Sequence, residues 1–164
     1  MPREATDPLA WLVRAKSSLA RARAGRISPE VLWEEPCFDA QQAAEKALKA
    51  LLVALGIPFP KTHDLERLLE LIRPRIPVPL ELEALVRLNP FAVASRYPGD
   101  LPEATEEDWR EALALAERAV AWVEDQPERG WFLWVHLLDA HLPYRHLPAL
   151  LREAGWFVTE EGES

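Results

Sequence analysis

Residues 37–64 constrain the fold more than any other stretch, because they predict one long helix with a defined end. Gly56 supplies a left-handed stop, and the prolines of residues 57–60 keep the following chain extended. One face of the predicted helix, over residues 37–55, repeats at steps of three and four: Phe38, Gln41, Ala44, Leu48, Leu51, Leu52 and Leu55. A helix of this kind needs other helices to cover it.

The first and last predicted helices have the clearest start signals. Asp7 is a good N-cap, Pro8 suits the first helical position, and Gly25 ends the first helix. Thr105 and Asp108 form a capping-box pattern that opens the last helix. Their predicted apolar faces are Leu9, Leu12, Val13, Leu19 and Ala20 on the first helix, and Trp109, Leu113, Ala116, Val120 and Val123 on the last.

Prolines divide the chain between these helices. A third helix opens near residues 62–64 and stops before Pro74, and a fourth runs from about Leu80 until Pro90 interrupts it. No stretch alternates apolar and polar residues as a strand does. We therefore predict an all-α fold, an antiparallel bundle of four to five helices over residues 1–126, with a short helical extension at the C-terminus.

Bulk composition narrows the functional classes. The 164 residues carry a net charge of −8, which argues against broad, sequence-independent binding of nucleic acid. A single cysteine, Cys37, rules out an internal disulfide and a zinc site built on several cysteines. With no long apolar run and no signal-peptide pattern, we expect a cytoplasmic protein, and frequent arginine and proline are typical of a thermophile with a GC-rich genome.

The run AQQAAEKALKALL at residues 40–52, with the glycine turn and the HDL at residues 63–65, resembles the HEPN family (higher eukaryotes and prokaryotes nucleotide-binding). The resemblance covers about residues 7–125, and residues 96–98 are similar to the RYP variant of the family. It implies a helical bundle that forms homodimers or higher homo-oligomers. It also implies a small nucleotidyltransferase as partner and a nucleotide or RNA as ligand.

Many HEPN proteins of toxin systems are ribonucleases with an Arg-x(4–6)-His motif. The corresponding arginine here is Arg96, and no histidine follows it at residues 101–103. The resemblance therefore favours a non-catalytic dimeric partner subunit for a nucleotidyltransferase, a nucleotide-binding module, or both, with no catalytic residue. The alternative is a metal-independent ribonuclease toxin of a toxin–antitoxin pair, in which Arg96 or Arg129 would act with His63 or His136.

Six residues are candidate ligand contacts. Lys46 and Lys49 share a face of the second helix, where they would form a phosphate-binding patch or, alternatively, a solvated face paired with Glu45 and Asp39. The other four residues would face a common cleft. The full set is Lys46, Lys49, Lys61, His63, Arg96 and Tyr97.

Each cleft residue also has a purely structural interpretation. Asp64 would cap the third helix while His63 bonds a loop carbonyl, and Arg96 would pair with Asp39 or Glu45.

Residues 127–164 differ in amino-acid composition from the rest of the chain. They are rich in tryptophan and histidine, and we expect a short helical module that packs on the bundle or across a dimer interface, with a disordered acidic end. Potential metal ligands are His136, Asp139, His141 and His146. His136 and His141 are five apart and so point away from each other on a helix, and we predict neither a metal nor a cofactor.

Overall fold

The computed structural model describes residues 3–94 and 102–126, and every regular element within these ranges is helical. The five α-helices there are α1 (Pro8–Ala24), α2 (Glu34–Ala54), α3 (Leu65–Ile72), α4 (Phe91–Ala94) and α5 (Glu106–Glu124). Two 3₁₀ helices, Arg3–Thr6 and Leu80–Leu88, precede α1 and α4 respectively. The predicted all-α fold is confirmed, whereas the predicted extension over residues 127–164 lies outside the described residues.

Helix α2 lies at the centre of the helical bundle. It packs against α1 and α5, and also against α3, α4 and the second 3₁₀ helix. Thirteen of its 21 residues are buried, which is the pattern of a helix covered on most of its circumference. Many of the buried positions are alanine, which allows the neighbouring helices to approach closely: Ala40, Ala43, Ala44, Ala47 and Ala50.

The boundaries of α1 and α5 follow the predicted caps. The Asp7 carboxylate accepts the backbone N–H of Leu9, and Gly25 follows α1 with a φ of 61°. Thr105 and Asp108 form the complete capping box at the start of α5. Short polar side chains at these positions satisfy backbone N–H groups that have no partner within the helix.

Two predicted boundaries need correction. Helix α2 begins at Glu34, not at Cys37, because Pro36 lies within the first turn, where a missing N–H costs nothing. The segment from Leu80 is a 3₁₀ helix rather than an α-helix, and it ends at Leu88, before Pro90.

The predicted apolar face of α1 is partly wrong. Val13 is 66% exposed, and Ala20 is also exposed. The buried face is formed instead by Leu12, Ala15, Ser18, Leu19 and Ala22. Val13 and Ala20 each follow a buried residue directly, and one step along a helix turns the side chain by about 100°.

Stacked indole rings connect α5 to the segment between α1 and α2. The rings of Trp33 and Trp109 lie with centroids 5.2 Å apart and an interplanar angle of 26°. Trp109 Nε1 donates to the carbonyl oxygen of Ala22 at 2.8 Å, so its ring lies directly over the end of α1. A Cβ added to Gly25 would come within 3.1 Å of that ring and would require the ring to shift, and the positive φ of Gly25 also favours glycine.

Candidate functional site

Three polar residues on the central helix α2 are buried among apolar ones. The exposed fractions of Gln41, Glu45 and Lys49 are 0%, 3% and 7%. Because they are four residues apart, they lie on one stripe of the helix, one turn above another. Buried charged groups in proteins are paired, since an unpaired charge is costly to remove from water. The stripe therefore requires partners, and these come from Glu45 itself and from the loop before α3.

Glu45 and Lys49 form a buried ion pair. Lys49 Nζ lies 2.6 Å from Glu45 Oε1, and the side chains of Lys49 and Glu45 are 9% and 4% exposed. Lys49 Nζ also donates to the carbonyl oxygen of Thr62 at 2.9 Å. Gln41 Nε2 donates to Glu45 Oε2 at 2.9 Å and lies 3.2 Å from the carbonyl oxygen of His63. The network thus joins α2 to residues 62–63.

The pKa of Glu45 shows how these effects balance. Burial alone would raise it, and burial is the largest single influence. The hydrogen bonds from Lys49, Gln41 and His63, together with the ammonium charge, outweigh burial and hold the pKa of Glu45 below its ordinary value of 4.5. Glu45 is therefore an ionised carboxylate at neutral pH.

The adjacent residues His63 and Asp64 have different roles. His63 Nδ1 lies 3.0 Å and 3.2 Å from the two carboxylate oxygens of Glu45, and its side chain is 62% exposed. Asp64 caps α3 by accepting the N–H of Glu66, as predicted. The expectation that His63 bonds a loop carbonyl is wrong, because the stronger acceptor, a buried carboxylate, is within reach.

Two aromatic rings lie beside the buried ammonium group. Lys49 Nζ is 5.6 Å from the ring centroid of Trp11 and 5.8 Å from that of Phe59, both within cation–π range. The two rings meet edge to face at 6.1 Å. Trp11 Nε1 donates to the carbonyl oxygen of Ala5 at 3.1 Å, which fixes the indole against the N-terminal 3₁₀ helix.

A cavity of about 760 Å³ opens between these groups. Its lining combines the N-terminal 3₁₀ helix, α1, α2 and the loop that follows α2: Ala5, Thr6, Trp11, Lys49, Val53, Gly56, Ile57, Pro58, Phe59, Pro60, Lys61, Thr62 and His63. The titratable side chains of this lining are two lysines and a histidine, without a carboxylate among these described residues. Its volume is in the range of small-molecule binding sites, about 300–1,000 Å³.

The structure brings three of the six predicted ligand contacts to this cavity: Lys49, Lys61 and His63. Lys46 lies elsewhere, because its Nζ donates to Ser18 Oγ of α1 at 2.9 Å. Burial, and next the positive charge of Arg21, lower the pKa of Lys46. Arg96 and Tyr97 lie outside the described residues.

The acidic residues offered as alternative partners of Arg96 have other contacts. Asp39 pairs with Arg21 of α1, and Glu45 pairs with Lys49. Arg129 and His136, which were named as alternative ribonuclease residues, lie outside the described residues. The potential metal ligands at residues 136–146 lie there too.

Three residues of the site were missed by sequence reasoning. The sequence analysis assigns Gln41 to an apolar face. A polar stripe could have been predicted instead, because Gln41, Glu45 and Lys49 follow each other at steps of four residues. Trp11 and Phe59 gave no such signal, because they meet only through the packing of α1 against the loop after α2.

Two features are absent from the described ranges. Within residues 3–94 and 102–126, no cluster of three or more His, Cys, Asp and Glu side chains is arranged to hold a metal ion. The helices of the same ranges include none with the length and apolar character needed to cross a membrane.

Known proteins resemble this chain in both sequence and fold. Residues 9–126 match the family model of the HEPN domain. The structure resembles ST0689, described as an archaeal HEPN homologue, with 29% identity over 73% of this chain and 97% of that chain and a TM-score of 0.58. It also resembles TT1696 from Thermus thermophilus, with 32% identity over 72% of this chain and 96% of that one and a TM-score of 0.62. Comparison with curated proteins gave no match.

Proposed function

This chain belongs to the HEPN family, and from that premise we propose that it is a non-catalytic subunit whose cavity binds a nucleotide. The observation that carries the proposal is the cavity itself, with aromatic walls at Trp11 and Phe59 and with basic side chains at Lys61 and His63. A nucleotide needs both features, because its base is flat and apolar on its faces while its phosphate is anionic.

The distribution of charge supports an anionic ligand. The ammonium group of Lys49 is balanced by Glu45, whereas Lys61 is exposed in the lining and forms no ion pair with the acidic side chains of the described residues. His63 is also exposed, and its Nδ1 is bound to Glu45, which leaves Nε2 for a ligand. A phosphate beside Lys61 and His63 gains charge-assisted hydrogen bonds without displacing a carboxylate of the protein.

The proposal extends to assembly. By analogy with stand-alone HEPN proteins, the chain acts as a homodimer and binds a small nucleotidyltransferase. The nucleotide that binds in the cavity is then also the substrate of that enzyme. Light scattering on the purified protein should give the mass of a dimer, and co-expression with a nucleotidyltransferase encoded next to it should give a complex. A monomer that forms no such complex would contradict this part of the proposal.

Isothermal titration with AMP, GMP, CMP and UMP tests the nucleotide site, with inorganic phosphate as the control ligand. We expect saturable binding of at least one nucleotide, weakened about tenfold by Lys61→Ala or His63→Ala through loss of a charge-assisted contact. Lys16→Ala is the matched control, because Lys16 pairs with Glu124 at the surface of the bundle, away from the cavity lining. Folded protein that binds none of the four would refute the proposal.

One observation favours the alternative, a metal-independent ribonuclease toxin. Because Glu45 is ionised, the Nδ1 atom of His63 carries the proton that bonds to it, and Nε2 is the ring nitrogen that would exchange a proton with RNA. Incubation with single-stranded RNA in the presence of EDTA distinguishes the two functions. Intact RNA supports the binding subunit, whereas cleavage that His63→Ala abolishes, together with growth arrest on expression, supports the toxin.

A further inference from the structure

The cavity has a neutral inner end and a basic rim. Lys49 marks the inner end, where its side chain is 9% exposed and its charge is matched by Glu45 at 2.6 Å. Lys61 and His63 mark the rim, where both side chains are exposed. The charged end of a ligand therefore belongs at the rim, and an uncharged end belongs inside. For a nucleotide this places the phosphate outward and the base inward.

The inner end presents a hydrogen-bond donor to such a base. An ammonium group has three N–H donors, and Lys49 uses one on Glu45 Oε1 and one on the carbonyl oxygen of Thr62. The rings of Trp11 and Phe59 lie near the same nitrogen and offer it only their π faces. Within residues 3–94 and 102–126 no further acceptor takes the third N–H, so it is available to a hydrogen-bond acceptor in the cavity that Lys49 lines.

From this arrangement we infer that Lys49 is a specificity-determining residue that selects nucleotides with an oxo group at C6 of a purine or C4 of a pyrimidine, as in hypoxanthine, guanine and uracil. The oxo oxygen accepts the third N–H of Lys49, whereas the exocyclic amino group of adenine or cytosine is a donor and leaves that N–H unmatched. A site built on one hydrogen-bond donor rejects a ligand that lacks the acceptor, because the donor is then buried without a partner. This inference rests on the proposed nucleotide site.

Two ligand pairs isolate the oxo group. IMP and AMP differ mainly by an oxo group in place of an amino group, and UMP and CMP differ in the same way. Isothermal titration of the full chain should give dissociation constants about tenfold lower for IMP than for AMP and for UMP than for CMP. Equal affinities, or tighter binding of AMP and CMP, would overturn the inference and leave the nucleotide site standing. Absence of binding by all four would overturn both.

A double variant assigns the preference to Lys49. Glu45→Gln with Lys49→Met removes both charges together, so that neither is left buried and unpaired. Circular dichroism confirms that the variant is folded, and we expect IMP to bind it no better than AMP. A preference for IMP that survives in the folded double variant would show that another group reads the base. Lys16→Met is the matched control, and it should keep the full preference.

Discussion

At the scale of single residues, Glu45 connects the folding of the chain to its candidate site. Its carboxylate accepts from Lys49 and Gln41 and contacts His63, so it holds one buried cation and one side chain of the cavity rim. Nothing in composition or charge count distinguishes this glutamate from the other acidic residues of the chain. Glu45 differs from them because it is buried and because the ammonium group of Lys49 lies one helical turn away.

Glu45→Gln should be strongly destabilising. The amide preserves the shape of the side chain but leaves Lys49 as a buried cation without an anion, which typically costs about 3–5 kcal/mol. Urea denaturation measures the change in the free energy of unfolding. The control is Glu117→Gln, whose exposed pair with Arg23 is worth about 0–1 kcal/mol. Equal, small effects of the two variants would contradict the structural role of the buried pair.

The same carboxylate predicts a pH dependence. The folded-state pKa of Glu45 is below its ordinary value of 4.5, so the unfolded chain takes up the proton first as the pH falls. The stabilising contribution is complete above pH 4.5 and is lost as the pH falls through the folded-state pKa. The free energy of unfolding of wild type should therefore approach that of Glu45→Gln as the pH falls below 4.5 and through the folded-state pKa. A difference that stays constant over this range would be inconsistent with the depressed pKa.

At the scale of elements, the helix ends marked by a capping side chain or a glycine were predictable from the sequence, whereas the start of α2 was not. The caps at Asp7 and Thr105 and the stops at Gly25 and Gly56 act through the backbone within a few residues, so local sequence specifies them. The 3₁₀ geometry of residues 80–88 was not predictable in this way. An apolar period fits both kinds of helix, and tertiary packing decides between them.

The two glycine stops provide a matched pair for mutation. Gly25 and Gly56 have φ values of 61° and 67°, so alanine is strained at both, by about 1–2 kcal/mol at a left-handed position. The strain is larger at Gly25, because its ψ of −148° lies close to a region that essentially only glycine adopts. A Cβ at Gly56 meets nothing within 4 Å, whereas one at Gly25 comes within 3.1 Å of the Trp109 ring. Gly25→Ala should cost about 1 kcal/mol more than Gly56→Ala in urea denaturation. Equal losses would contradict both the larger backbone strain at Gly25 and the contact with the Trp109 ring.

Alanine variants of Asp64 and His63 should separate effects on stability from effects on nucleotide binding. The Asp64 carboxylate accepts the N–H of Glu66 and a side-chain N–H of Asn89, so Asp64→Ala should cost about 1–2 kcal/mol of stability. Titration at a temperature where the variant is folded should show unchanged nucleotide affinity. His63→Ala should show the reverse, with weakened affinity and a smaller change in stability. Loss of affinity in a folded Asp64→Ala variant would place Asp64 in the site.

At the scale of the whole molecule, the cavity exists because distant segments meet. Trp11 belongs to α1, Lys49 to α2, and Phe59 and His63 to the loop between α2 and α3. Sequence reasoning predicts Lys49 from its spacing to Lys46, and Lys61 and His63 from their place after the second helix, and all three line the cavity. It could not find the aromatic walls, since nothing local to Trp11 or Phe59 specifies that their rings come within 6.1 Å.

The central claim is that a nucleotide binds in this cavity, and Trp11 reports on it directly. The side-chain N–H of Trp11 is one of seven indole signals in a ¹⁵N-correlated NMR spectrum, and Trp11→Phe assigns it by its disappearance. We predict that titration with IMP shifts the Trp11 indole signal saturably, while the signals of Trp33 and Trp109, which stack together away from the cavity, stay in place. A Trp11 signal that does not move at saturating IMP would contradict the account.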